Sequence, residues 1–462
     1  MSNAVQSAFF ISALCVSAVF VLSGAFSLYD CLWIGLFLYM ALLALAWRTF
    51  GGGRHPCFLF LCMLLLFQMG RLIGYALGAT QDPFNVVVAT LIPITVSPAA
   101  SEITVLIVLL SATVIYAVCA WNSPSIVLPP GREQLWLPAC YVLLAASFPF
   151  VLYKDYVYLQ FIRSHGGYLA IFTDSDAVTQ SAGALVRIMS LVAANAFLLV
   201  YLIERRGGRL AIVTAVFLST SALELAIGLR GKVFLFLLTL WFLRNLKTGR
   251  HFRLATLAIV LLIGSFAAVA IGGFREMRST AVTGPAAFIT GQGISMGVTQ
   301  MAVQYRPLFA PHAKTYLSNE LLQIYYPGSH FGQGELFDND LSVFLNVDAY
   351  RQGYGTGSSY LAEAWVAGGL FAVLIVSFLI GLALRLLHSL SATFPGAVAV
   401  SIVLPSIIYL PRDQLLSPIA TSLKSGFVFL IMFPLLGLIR WLLYDYPPTH
   451  DPMNDVVKAP TE

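Results

Sequence analysis

The residues of this chain best suited to chemistry are arginines at the ends of apolar runs. Arg230 stands with Lys232 in GLRGK (228–232), and Arg275 and Arg278 stand in GGFREMRS (272–279). Arg412 follows an apolar run in YLPRDQ (409–414), and Arg351 precedes one. A charge at the centre of a membrane helix costs about 2.5–3.5 kcal/mol by insertion scales. It is tolerated where it meets a wet cavity or an anionic ligand. Several guanidinium groups converging at helix ends would suit a diphosphate, because each can grip two phosphate oxygens with parallel donors. The competing account is that these side chains snorkel to lipid headgroups or pair with local acids such as Glu276 and Asp413.

Carboxylates supply the complementary chemistry. Glu363 lies in GYGTGSSYLAEAWVAGGL (353–370), one turn inside an apolar helix that Ser358 and Ser359 can cap. The helix dipole favours a carboxylate there, and Ser359 and Glu363 share a face at i,i+4. A carboxylate in an apolar span is also a functional-site candidate in its own right. Asp338, Asp340 and Glu276 are the other candidates to take a proton from a hydroxyl. Glu320, Glu335, Asp348, His312 and His330 belong to the same stretch, and His312 follows Pro311, which signals a turn. Tyr325, Tyr326 and Tyr354 offer ring faces for sugars. An ordinary solvated loop would also contain most of these residues.

The elements that position them are membrane helices. The chain has 462 residues, 59% hydrophobic and 10% charged, with a mean hydropathy of +0.84. Soluble domains carry about 25% charged residues, so soluble enzymes and disordered chains are excluded. A nucleic-acid partner is excluded too, because the net charge of +5 is scattered between apolar runs. The chain reads as an all-α polytopic membrane protein. Apolar runs at 5–29, 31–47, 57–79, 103–121, 135–153, 180–203, 210–229, 231–243, 254–273, 358–384, 394–410 and 417–443 give about 12 transmembrane helices. The stretch 84–100, with Pro93 and Pro98, reads as a re-entrant or interfacial segment. The six cysteines form no CxxC pair and read as small core residues.

With both termini cytoplasmic, half of the 26 basic residues fall on the cytoplasmic side, anchored by ERRGGR (204–209) and RNLKTGRHFR (244–253). The exceptions, on the outer face, are Lys154, Arg163, Arg306, Lys314 and the cations that open this section. The chain divides into an N-terminal transmembrane bundle (1–203), helices bearing the Arg-Gly turn (204–273), one large outer loop (274–357), C-terminal transmembrane helices (358–443) and a cytoplasmic tail (444–462). Arg71, Arg187, Glu224 and Lys424 lie within spans; Glu224 has Lys424 or Arg187 as candidate partners. No HExxH, CxxC, Walker loop or GxGxxG is present, and no internal repeat, which argues against a transporter built from repeated halves. A flippase lined by Arg71, Arg187 and Lys424 stays open.

In order along the chain, Leu229-Arg230-Gly231, Arg275, a large loop with Tyr-Tyr-Pro-Gly (325–328), GTGSSYLAEAWVAGGL (355–370) and Arg412-Asp413 resemble the Wzy-type polymerases of O-antigen and other oligosaccharide repeat units. The resemblance covers residues 205–425. It implies a C-type glycosyltransferase-like bundle in the bacterial inner membrane, with the large loop and active site facing the periplasm. It implies en bloc transfer of a glycan from undecaprenyl diphosphate to a new undecaprenyl-diphosphate-linked unit, without metal or nucleotide cofactor. Arg230, Arg275 and Arg412 would then hold the diphosphate, joined by Arg278 and Arg351. The family commonly works with a chain-length-regulating co-polymerase. An O-antigen ligase, loading lipid A core, is the alternative; ligases typically carry histidine where this chain has Ser358-Ser359. Some polymerases carry glycine eleven residues after a loop arginine, where this chain has Ala286 and Ile289.

Overall fold

Short polar residues ahead of apolar runs set where helices start. Ser27, His55, Ser97, Ser359 and Thr393 each accept an amide N–H of the turn they open, satisfying donors that the helix leaves bare. The computed structural model describes residues 27–80, 86–87, 93–94, 96–121, 126, 132–165, 175–227, 230–249, 285–322 and 335–444. The first half contains α1 (Leu28–Phe50), α2 (Pro56–Ala76), α3 (Pro98–Ala120), α4 (Leu137–Ser164), α5 (Ser175–Ala182), α6 (Ala184–Ile203), α7 (Gly207–Ile227) and α8 (Arg230–Thr248). Next come α9 (Pro285–Gln292), α10 (Ile294–Gln304), α11 (Arg306–Phe309), α12 (Ala313–Leu322), α13 (Phe337–Leu345) and α14 (Val347–Arg351). The chain ends in α15 (Tyr360–Leu390), α16 (Phe394–Tyr409) and α17 (Ser417–Tyr444).

Eight helices among the described residues are long and apolar enough to cross a membrane: α1, α2, α3, α4 with its leading turn, α6, α15, α16 and α17. The protein is a polytopic helical membrane protein. Helix α7 is apolar only over Gly207–Ser221, and α8 carries basic residues at both ends. The runs 5–29 and 254–273 lie outside the described residues. In the 84–100 stretch, Val86–Val87 pairs antiparallel with Pro93–Ile94, and Pro98 is a first-turn residue of α3, where its missing N–H costs nothing.

The 274–357 stretch does more than connect spans. From Pro285 it folds into short helices, and α10 is buried from Ser295 through Ala302. Glycines let α2 and the α9–α10 junction approach closely: a Cβ at Gly74 would collide with Thr290, and one at Gly293 with the Arg71 backbone. Small residues at such crossings are a common membrane device. A second core cluster joins α10, α12 and α13 to α15 through Met301, Phe309, Tyr316, Phe337, Ala362 and Val366.

Helix α15 is broken. Gly368 (φ −159°, ψ 18°) and Gly369 (φ 63°, ψ −147°) leave helical geometry, and the left-handed φ at Gly369 is one that glycine adopts without steric cost. In an unbroken helix the Trp365 carbonyl would accept from the Gly369 amide. Here Arg306 Nε donates to it at 3.0 Å.

Two charges inside the first half find partners that differ from those expected. Glu224 pairs with Lys154 (3.5 Å), not with Lys424 or Arg187, and Lys154 also pairs with the buried Asp155 (3.2 Å). The reason is packing: α4 lies against α7, which brings the two helices' charges together and makes Lys154 a structural residue. Cys31, Cys57, Cys119 and Cys140 are buried free thiols and Cys62 is half-buried, in keeping with small core residues.

Candidate active site at the 411–417 turn

The site is organised around the connection between α16 and α17. A 3-10 turn (Leu410–Arg412) ends α16, and each residue from Pro411 to Ser417 is tied by a hydrogen bond. Gln68, on α2, donates from Nε2 to the Pro411 carbonyl (2.8 Å) and to Ser359 Oγ (2.9 Å), while its Oε1 accepts from Thr299 (3.0 Å). Arg412 Nη1 donates to Gln292 Oε1 at 2.6 Å. Asp413 accepts from the Gln414 amide (2.9 Å) and from Ser417 Oγ (2.8 Å). Gln414 Nε2 donates to Asp338 Oδ1 at 3.1 Å. The next two backbone amides go to glutamates: Leu415 N–H to Glu363 Oε2 and Leu416 N–H to Glu320 Oε2, each at 2.7 Å.

Glu363 is buried (4% exposed), and its other oxygen accepts from Ser358 Oγ at 2.5 Å. The expected Ser359–Glu363 pairing is replaced by this one. Ser359 is the N-cap in extended backbone (φ −154°), and its hydroxyl already accepts from Leu361 N–H and Gln68. That turn swings Ser358 over the carboxylate instead. Glu320, 1% exposed, touches Glu363 directly. Its Oε1 is buried with no hydrogen-bond donor among the described residues.

Four carboxyl groups thus face one turn. Burial, with the negative charges of Asp338 and Asp413 beside it, pushes Glu320 up to about 7. Burial likewise raises Asp413 to about 6, against the lowering effect of its two donors. Asp338 is raised by burial, with Gln414 opposing. Acids that hold protons near neutrality are the groups that acid–base catalysis uses.

Arg412 stands apart from these acids. The expected local pair with Asp413 does not form, because Asp413 is turned to Ser417 and the Gln414 amide. The guanidinium lies over the Phe67 ring, 5.4 Å from its centroid. Among the described residues it has no ion pair, and it is only half-buried. A half-exposed guanidinium with a neutral hydrogen-bond partner keeps donors for an anion.

The other candidate residues are placed as follows. Asp340 accepts from Tyr316 OH at 2.8 Å on the far side of α13 from the turn's bonds. Arg351 lies on the surface and pairs with Asp348 at 3.8 Å, both side chains more than 70% exposed; no contact joins it to Arg412. Tyr354 is half-buried beside α14. His312 lies in a 3-10 turn, as Pro311 signals, and pairs with Glu335 at 3.8 Å on the surface. Arg230 is the first residue of α8. Arg275, Glu276, Arg278, Tyr325, Tyr326 and His330 lie outside the described residues.

Residue type and spacing do not point to Gln68, Gln292 or Gln414, and they mark Glu320 only as one acid of a polar stretch. Gln68 did carry a signal, as a polar side chain in an apolar span. Its three bonds make a prediction. Gln68→Leu keeps the volume but strands the Pro411 carbonyl, while the Thr299 and Ser359 hydroxyls keep only the Ser295 carbonyl and the Leu361 N–H. Each unsatisfied buried group costs about 1–3 kcal/mol, so the thermal midpoint of the purified protein is expected to fall clearly. A midpoint equal to wild type would show that the turn is held without Gln68.

A family model, O-antigen polysaccharide polymerase Wzy, matches residues 7–443. No curated protein and no solved structure matches the chain. The match takes in α1 through all but the last residue of α17 and every residue of the 411–417 turn. This chain belongs to the O-antigen polysaccharide polymerase Wzy family.

Proposed function

We propose that this protein joins undecaprenyl-diphosphate-linked oligosaccharide repeat units, moving the growing glycan en bloc onto a hydroxyl of a new lipid-linked unit at the periplasmic face of the inner membrane. The observation that carries the reading is the pairing of chemistries at one turn: Arg412, bonded to the neutral Gln292 and without an ion pair among the described residues, and, three residues on, the amide that holds the buried Glu363. Glu363 takes the proton of the acceptor hydroxyl, with Asp338 as its nearest alternative among the described residues; Asp340 and Glu276 are the other candidates. The acceptor oxygen attacks the anomeric carbon, the bond from that carbon to the diphosphate oxygen breaks, and the lipid diphosphate leaves with the electron pair. Arg412 stabilises that charge as it develops. Arg230, Arg275 and Arg278 extend the anion site, and Arg351, being on the surface, is the weakest member. Tyr354, Tyr325 and Tyr326 contribute faces to the sugars. The reaction needs neither metal nor nucleotide, because the donor is already activated.

The 12-span count, cytoplasmic termini, a periplasmic 274–357 stretch and a chain-length-regulating co-polymerase belong to the same reading. A flippase reading draws on a different place. An apolar cavity of 1230 Å³ between α4, α6, α16 and α17 is lined by Lys424 and Arg440. None of the acids around the 411–417 turn lines it. The deciding experiment reconstitutes the purified protein with defined lipid-linked repeat units. A ladder of glycan lengths supports polymerisation. A single transfer to lipid A core supports a ligase, and movement across the bilayer without transfer supports a carrier.

A further inference from the structure

Glu320 comes from α12, in the stretch between the spans, and Glu363 from α15, yet they take consecutive amides of the same turn, Leu416 and Leu415. Taking neighbouring amides from two directions forces the two carboxyls together. They are close enough to interact directly, and both are almost wholly buried. Two ionised carboxylates at that separation repel strongly in a low-dielectric site. Hydrogen-bond accounting gives the way out. Glu363 has donors on both oxygens, from Ser358 and Leu415. Glu320 has one donor, from Leu416, and its Oε1 is buried with no donor among the described residues. An ionised carboxylate is acceptor-only, so a contact between two of them needs a proton between them.

We infer that Glu320 and Glu363 share a single proton, and that Glu320 is a positioning residue whose half of this pair holds the turn bearing Arg412 against α15. The charged surroundings support one shared proton rather than none. Asp338 on α13 and Asp413 ahead of α17 both face the pair. Tyr316, one turn earlier on α12, is engaged with Asp340. Gln68, which bonds Ser359 from α2, is neutral, and on α10 so are Thr299 and Gln300. Lys314, six residues before Glu320 on α12, is exposed, and His312 is on the surface beside Glu335. Arg412, on the turn itself, is turned to Gln292 and Phe67, and Lys424 on α17 lines the cavity elsewhere. Among the described residues, a proton is therefore the counter-charge that the pair has. It belongs to the pair rather than to either residue.

The catalytic consequence rests on the polymerase reading. The singly protonated pair has one negative charge, enough to accept the acceptor hydroxyl's proton as the new glycosidic bond forms; the then-neutral pair returns that proton to water. When the pair loses its shared proton instead, the two carboxylates repel and the clasp on Leu415 and Leu416 loosens. Glu320 is raised above its unfolded value, to about 7. Its contribution to stability is therefore full at low pH and is lost as pH rises through that value.

The test compares wild type, Glu320→Gln and Glu363→Gln, all as full-length protein in detergent or nanodiscs. Gln keeps an oxygen for the backbone amide and a donor for the partner carboxylate, so the variants are expected to fold. Infrared spectra at neutral pH should show a protonated-carboxyl band that either substitution removes. The thermal midpoint of wild type should fall as pH rises through about 7, and this fall should vanish in Glu320→Gln. In the polymer-ladder assay, the loss of rate on the alkaline side should disappear in Glu320→Gln, whereas a merely structural role would lower the rate equally at every pH. The inference is overturned if wild type lacks a band sensitive to both substitutions, or if Glu320→Gln keeps the wild-type pH dependence of melting. Neither readout needs turnover, so failure of the polymerase reading alone would leave both intact.

Discussion

Arg412→Ala is expected to abolish long glycan chains while leaving a folded, inserted protein. The two halves of that expectation have different sizes. The native contacts of Arg412 are one hydrogen bond to Gln292 and a face-on contact with Phe67. Losing them removes about 1–3 kcal/mol at most, and the turn keeps its ties through Pro411, Gln414, Leu415 and Leu416. Removing a group that stabilises developing transition-state charge typically costs about 10²–10³ in rate, which in a processive assay means no ladder. Arg412→Lys should also impair the enzyme, because a point charge does not replace a planar two-donor fork. The measurement is ladder length and yield from reconstituted protein, beside a melting curve. Normal long chains from Arg412→Ala would remove Arg412 from the diphosphate site.

Glu363→Gln is the second large effect. General-base catalysis contributes about 10²–10⁴, and the amide cannot accept the proton. The structural cost is small by comparison. A Gln oxygen can still accept the Leu415 amide, which is the bond that fixes the turn, and α15 keeps its Ser359 cap. Initial rates of single transfer are expected to fall by about two orders of magnitude or more, with melting near that of wild type. Glu363→Asp should recover part of the rate, because the carboxylate survives but is drawn back from the turn. Wild-type rates in Glu363→Gln would move the base elsewhere, with Asp338 first in line through its bond to Gln414.

Apolar runs made the helices legible. Length and hydropathy decide spans, and most predicted boundaries fall within a few residues of α1, α2, α6, α15, α16 and α17. Two of the site's residues were legible for the same reason: Glu363 and Arg412 are charges where the surroundings are apolar. Glu320 was not, because it stands among several acids of a polar stretch, and nothing in its neighbours says that it turns inward. Its role depends on α12 docking beside α15, a contact made across the fold. The stretch containing it read as one large loop, yet α10 is buried along most of its length. Short helices rich in Gly, Ser and Thr lack the hydropathy of a span, so only packing reveals them. Lys154 shows the reverse error: a cation read as misplaced is matched by Asp155 and Glu224.

The break at Gly368–Gly369 bears on how the protein is made. The Trp365 carbonyl it frees is covered by an arginine 59 residues earlier in the chain. A ribosome therefore delivers Arg306 before the helix that needs it. A bare carbonyl within a membrane helix costs several kcal/mol, so α15 is not a self-sufficient segment when it leaves the translocation machinery. It becomes complete only against a surface already assembled from α10 to α12. Glu320 and Glu363 sit on the two sides of that same junction. Catalytic geometry and completion of the last helices are thus one event in biogenesis, and a chain that misassembles there has neither.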